Sequence, residues 1–187
     1  MATAWLPGNS QRDFSSKGRS LAFMLPRSPL KIILTLTLTL TLTLLSPSRA
    51  EEGKSLKPSP KDKCPVCGMF VAKYQDFLAE VIFSDGTHAL FDGAKDMFRY
   101  ALNMKKYNPA KKPGDIARVY VTDYYDLAPI DGLLAFYVTG SDVYGPMGRE
   151  LIPFKREADA RGFMKDHKGG ALLTFQGVTA DILKGLD

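Results

Sequence analysis

The chain has 187 residues and a net charge of +5, with a sequence pI near 9.1, values that by themselves suit a nucleic-acid-binding protein. The charge is not spread evenly: Arg12, Lys17, Arg19, Arg27, Lys31 and Arg49 stand against Asp13 alone in the first 50 residues, and the remaining 137 carry 19 basic and 19 acidic side chains. A neutral body exerts no general pull on phosphate backbones, so nucleic acid is excluded as a partner and the basicity belongs to the leader.

Residues 1–50 read as a secretory signal. Ile32 to Leu45 is an uncharged run of 14 residues preceded by Arg27 and Lys31, and Ser48-Arg49-Ala50 places small residues around a cleavage point after Ala50. The run falls short of the ~20 apolar residues of a spanning helix, and Thr occupies alternate positions within it. An uncleaved N-terminal segment is the alternative and would attach the protein to a membrane. No Cys stands at the end of the run, so a lipid anchor is not expected, and a start at Met24 would leave a signal of ordinary length.

Residues 51–63 (EEGKSLKPSPKDK) contain one large apolar side chain, Leu56, and read as a flexible tether. The body from Cys64 to Asp187 is long enough to build a core without disulfide staples. Phe77 to Phe83 predicts a strand that ends at the turn signal Ser84-Asp85-Gly86, and Thr87 to Phe91 predicts a second. A helix is expected over Ala94 to Met104, with Asp92 as its cap, and Ala117 to Asp123 is expected as the third strand. The order then repeats: strands over Leu133–Val138 and Glu150–Phe154, a helix over Arg156–His167, and a strand over Ala171–Phe175. The expectation is an α+β protein of two small ββαβ lobes, residues 64–123 and 124–187. Met97, Met104 and Met164 fall at core-facing positions of the helices.

The chemistry concentrates in Lys-Cys-Pro-Val-Cys-Gly-Met, which holds both cysteines of the chain, Cys64 and Cys67. A structural disulfide suits an exported protein, although so short a loop stabilises little. A thiol-disulfide oxidoreductase needs its first Cys at a helix N-terminus, whereas Gly68 to Tyr74 reads as a strand. Zinc is disfavoured, because His88 and His167 form no paired motif and no second C-x-x-C exists. A soft-metal site stands beside these readings. Thiolate and thioether select Cu(I), and on an extended segment Cys67 and Met69, at i and i+2, point to one face, with Cys64 in reach through the Pro65-Val66 turn. His88 is a candidate nitrogen ligand, against its plainer reading as a half-exposed surface side chain. No Ser-His-Asp order, phosphate-binding loop or H-E-x-x-H motif is present, so an enzyme is not expected.

A second element, Gly140-Ser141-Asp142-Val143-Tyr144-Gly145-Pro146-Met147-Gly148, leads into Glu150 to Phe154. Together with Cys-Pro-Val-Cys-Gly-Met-Phe-Val-Ala-Lys-Tyr, it makes residues 64–180 resemble the NosL family, accessory proteins of nitrous oxide reductase maturation. The resemblance implies two ββαβ lobes similar to part of the organomercurial lyase fold. It implies a Cu(I)-binding metallochaperone in the bacterial periplasm, commonly membrane-attached, that delivers copper to a client cuproenzyme such as nitrous oxide reductase or its maturation machinery. Cys67 and Met69 match the family's Cys-Gly-Met, and Met147 matches the Met of the glycine-rich loop. Many members carry a lipid-modified Cys after the signal, and this chain departs from them there. The competing function is a thiol-disulfide oxidoreductase using Cys64 and Cys67.

Overall fold

The computed structural model describes residues 57–187. The signal segment 1–50 and residues 51–56 of the tether lie outside the described residues. The rest of the expected tether is engaged: Asp62 N–H donates to Ser59 O, Val71 N–H donates to Asp62 O, and Lys63 bridges Phe70. Among the described residues no helix is long and apolar enough to cross a membrane.

Alternation of apolar side chains makes β1 (Ala79–Phe83), which turns through Gly86, at φ 82°, into the antiparallel β2 (His88–Phe91). Helix α1 (Ala94–Leu102) and the single turn α2 (Met104–Tyr107) return the chain to β3 (Ile116–Thr122), which pairs with the free edge of β1. This is the first ββαβ round. A strand the periodicity did not announce, β4 (Pro129–Asp131), then extends the sheet to the order β2-β1-β3-β4. Three residues beginning with Pro are too few to show alternation, and a Pro is tolerated on an edge strand.

The second round is β5 (Phe136–Thr139), β8 (Ile152–Phe154), α3 (Glu157–Asp166) and β9 (Ala171–Thr174), in a sheet ordered β8-β5-β9. Between β5 and β8 a small hairpin is inserted, β6 (Tyr144–Gly145) with β7 (Gly148–Arg149). A final short helix, α4 (Ala180–Lys184), is capped by Thr179, whose Oγ1 accepts from Ile182 N–H. The α+β class stands, with every strand pairing antiparallel.

Strand β5 is buried on both faces, and its side chains serve two cores in alternation. Val138 packs with Ile152, Phe154, Ala160 and Phe163 beneath α3. Tyr137 faces the other way, into the larger core with Met97, Phe98 and Val121. Met97 and Met104 are core residues, and Met164 packs against the smaller cluster. Helix α1 therefore lies in the larger core and is buried nearly all round: Ala94, Lys95, Asp96, Met97, Phe98 and Tyr100 are all enclosed. A helix hydrophobic all round would be expected there. That Lys95 and Asp96 are enclosed as well means that their polar atoms must find partners inside.

Tyr137 also links the two sheets by a polar contact. Its hydroxyl donates to Gly132 O at 2.6 Å, Gly132 N–H donates to Val119 O on β3, and its ring meets Phe98 edge-on at 5.0 Å. Tyr137→Phe leaves the buried Gly132 carbonyl without this donor and is expected to cost about 1–3 kcal/mol in urea unfolding; an unchanged midpoint would show that the link carries no stability.

Candidate metal centre

Cys64 to Met69 fold into a tight knuckle. Gly68 N–H donates to Cys64 O at 2.9 Å, Cys64 N–H donates to Met69 O at 2.9 Å, and Gly68 sits at φ 80°, a conformation that glycine adopts without a Cβ penalty. The chain then enters a 3-10 turn at Val71–Lys73. The expectation of a strand over 68–74, with Cys67 and Met69 on one face by alternation, is corrected by this geometry. The left-handed glycine reverses the backbone between them.

The knuckle instead gathers backbone donors around sulfur. The N–H groups of Val66 and Cys67 point at the Cys64 thiol, and that of Met69 at the Cys67 thiol. Such donors favour the thiolate, which is the form that binds a metal. Burial acts against them and is the larger effect. It lifts Cys64, 2% exposed, far above the ordinary thiol range, and pushes Cys67 up to about 11, with Asp92 and Asp96 adding to the rise. Both cysteines are free, so no disulfide joins them.

The other half of the cluster comes from the start of α1. Cys67 Sγ donates to Asp92 Oδ1 at 3.2 Å, and Cys64 Sγ donates to Asp96 Oδ2 at 3.4 Å. One donor atom from each of Cys64, Cys67, Asp92 and Asp96 lies within 4.8 Å of every other. Asp92 precedes the extended cap residue Gly93 and Asp96 lies in the first turn of α1, so the turn into the helix brings the two carboxylates to one place. Nothing local in the sequence tied either to cysteines more than two dozen residues upstream. Asp92 was expected to cap α1 and does not: the cap position is Gly93, with no side-chain cap bond.

Glu150 takes that place from across the fold. Its Oε1 accepts Lys95 N–H at 2.6 Å and Leu151 N–H at 3.0 Å. A carboxylate at a helix N-terminus satisfies open donors and meets the positive end of the dipole. Close backbone approach makes this seat. A Cβ on Gly93 would stand 2.4 Å from Glu150 Oε2, and one on Gly145 3.0 Å from Glu150 Cγ. Burial is strong enough to raise the Glu150 carboxyl to about 7, despite the two N–H donors and nearby Lys95.

Met147 is the turn residue of the β6–β7 hairpin, and its carbonyl accepts from Lys95 Nζ at 2.7 Å. The glycine-rich element is thereby tied to the same first turn of α1 that carries Asp96, while the Met147 side chain is 43% exposed. Met69 is half-buried beside the exposed ring of Phe70. His88 is exposed at the far end of β2, opposite Ile82, four strand residues and so about 13 Å of backbone from Asp92. The structure brings Cys64 and Cys67 together and adds two aspartates; it does not bring His88 to them. His167 closes α3, pairs with Asp142 at 3.1 Å and stacks on Phe163.

Comparison with known proteins agrees with this architecture. The NosL family model matches residues 55–183, most of the chain, and the chain belongs to that family. The copper-binding lipoprotein NosL of Stutzerimonas stutzeri is 28% identical over 147 residues, covering 73% of each chain. The crystal structure of the copper chaperone NosL from Shewanella denitrificans superposes with a TM-score of 0.57 at 24% identity, over 68% of this chain and 97% of that one, and so shares the fold.

The Glu150 seat has a pH consequence. A carboxyl at about 4.5 unfolded and about 7 folded holds its proton more tightly when native, so its contribution is complete below about 4.5 and is lost as pH rises through about 7. Wild-type stability is expected to fall by about 1.4 kcal/mol per pH unit across that window relative to Glu150→Gln. Urea unfolding of both proteins between those limits measures the difference, and parallel pH profiles would refute the assignment.

Proposed function

We propose that this protein is a non-enzymatic Cu(I) metallochaperone of the periplasm, exported by its N-terminal segment, that receives copper at the Cys64–Cys67 knuckle and passes it to a client cuproenzyme. The observation that carries the reading is the convergence of two free thiols, one buried and one partly covered, under three backbone N–H donors. Two soft anionic sulfurs select Cu(I), which tolerates low coordination numbers. Cys64 is the buried anchor. Cys67, only partly covered, is the side from which the ion arrives and leaves. Met69 follows Cys67 on the knuckle and supplies a neutral thioether. Met147, exposed on a hairpin held by its own carbonyl, is the further thioether, free to swing toward the ion or toward a partner.

Each chemical group has a defined part in transfer. Loading displaces protons from both thiols, and the backbone N–H donors stabilise the sulfurs once charged. Asp92 and Asp96, already hydrogen-bonded to the thiols, are placed to accept those protons. Handover proceeds by ligand exchange: a sulfur of the client joins the ion from the Cys67 side, then the knuckle sulfurs leave in turn. The printed names of the relatives, a copper-binding lipoprotein and a copper chaperone, support copper as the cargo. The sequence resemblance points to nitrous oxide reductase or its maturation machinery as the client, and, with no Cys at the end of the apolar run, any membrane attachment comes from that run left uncleaved or from a partner. His88 has no part in this site.

The oxidoreductase reading fares worse on the same geometry. An attacking thiol is made reactive by a lowered pKa at a helix N-terminus or beside a cation. Here the more accessible thiol, Cys67, is pushed up to about 11 by burial with carboxylates beside it.

Anaerobic titration of the reduced protein with Cu(I) against a chromophoric chelator is expected to give one equivalent. Cys67→Ser is expected to lose more than about 100-fold in affinity, the upper range for disturbing even an outer-shell partner, and Met147→Ala to lose less. Cys67→Ser binding at wild-type strength would end the proposal.

A further inference from the structure

We infer that the exposed ring of Phe70, held between Lys63 and Lys73 beside the cysteine knuckle, is a docking surface for a protein partner with an acidic face. Residues 57–73 hold Lys57, Lys61, Lys63 and Lys73 against a single acidic side chain, Asp62. All four lysines are exposed. Asp62 is engaged within its own turn, where its Oδ2 accepts Ser59 N–H at 2.7 Å. None of the four lysines has an ion-pair partner among the described residues. The body of the chain is neutral, so this excess of positive charge is local to the knuckle.

Local geometry brings the ring and the charge to one place. Lys63 pairs with Phe70 across an antiparallel bridge, next to the bond from Cys64 N–H to Met69 O. Val71 is buried and its N–H donates to Asp62 O, which anchors the backbone. Phe70 before it is extended, so its ring is sent to the opposite side and stands 41% exposed. The 3-10 turn Val71–Lys73 then carries the chain back: Lys73 N–H donates to Phe70 O at 3.3 Å. In that kind of turn side chains three residues apart eclipse, which sets Lys73 over the ring. Lys63 Nζ and Lys73 Nζ lie 5.0 Å and 5.9 Å from the ring centroid.

An exposed ring under lysines suits a surface that bears carboxylates. Cation–π contacts at exposed sites are weak, so a partner's carboxylates draw the ammonium groups to the rim and leave Phe70 as the apolar anchor. An aromatic centre with a charged rim is the common division of an interface, and the rim governs encounter rate and partner choice. Position selects a protein over a lipid surface. Phe70 follows directly on Met69, and handover by ligand exchange brings a client sulfur to the partly covered Cys67. The client must therefore rest on what surrounds the knuckle, which a bilayer would occlude. That choice of partner rests on the copper reading, whereas the charge and geometry of the surface stand without it.

Metal-free reduced protein titrated with a Cys-Met peptide flanked by glutamates is expected to shift the amide NMR signals of Lys63, Phe70 and Lys73. The same peptide flanked by lysines is expected to leave them in place. From Cu(I)-loaded protein the acidic peptide is expected to take copper about 10-fold faster than the basic one at low salt. That advantage is expected to vanish at about 1 M salt, where the Debye length is about 3 Å. Lys63→Glu combined with Lys73→Glu is expected to abolish the advantage while Cu(I) affinity against a chelator stays unchanged. The NMR titration needs no copper: absent shifts overturn the docking surface and leave the copper reading standing, whereas shifts in a protein that binds no copper remove that reading and keep the surface. Equal transfer to both peptides at low salt overturns the inference, as does an undiminished preference in the double variant. Lysine-dependent binding to vesicles of phosphatidylglycerol and phosphatidylcholine, without peptide shifts, overturns it in favour of lipid.

Discussion

The seating of the Glu150 carboxylate on the first turn of α1 is the contact on which the site depends. It joins elements far apart in the chain: the helix that carries Asp96, the glycine pair at 93 and 145 that makes room for it, and the hairpin that presents Met147. A short helix within a core needs its open N–H groups satisfied from outside. Supplying that partner from the second lobe makes the position of the Met147 hairpin a consequence of helix capping. The knuckle is built separately, from bonds within Cys64–Met69, and its two thiols reach Asp92, just before α1, and Asp96 within it.

The centre sets two tendencies against each other. Burial and neighbouring carboxylates keep the thiols protonated, which protects them from adventitious oxidation, whereas the backbone N–H donors are arranged for the charged sulfurs that a metal would create. An ion resolves the conflict by replacing two protons. This suits a carrier, which must be inert when empty and must not hold its cargo irreversibly. Cys67 is partly covered and Met147 is exposed, with Phe70 and Tyr144 among the exposed large side chains on the knuckle and hairpin.

Much of the fold was legible from periodicity and turn chemistry. The alternation in Ala79–Phe83, the Ser84–Gly86 turn and the helical spacing of Met97, Phe98 and Ala101 produced the first ββαβ round nearly at its observed boundaries. Elements without a period were missed: β4, the two-residue strands of the hairpin, and α4, whose Leu183 belongs to the larger core. At the site, the two cysteines were evident, but the strand expected after them failed on the positive φ of Gly68. Asp92 was noticed for the wrong task, as a cap. Its true neighbours come from tertiary contact, which spacing along the chain cannot express. His88 shows the converse, a plausible ligand type carried away from the cluster by the direction of its strand.

The central claim is that sulfur from the knuckle holds copper. X-ray absorption at the copper edge of the Cu(I)-loaded protein tests it most directly. The account predicts a low-coordinate first shell made of sulfur, with its intensity reduced in Cys67→Ser. A first shell of nitrogen or oxygen, unaltered by that substitution, would contradict it.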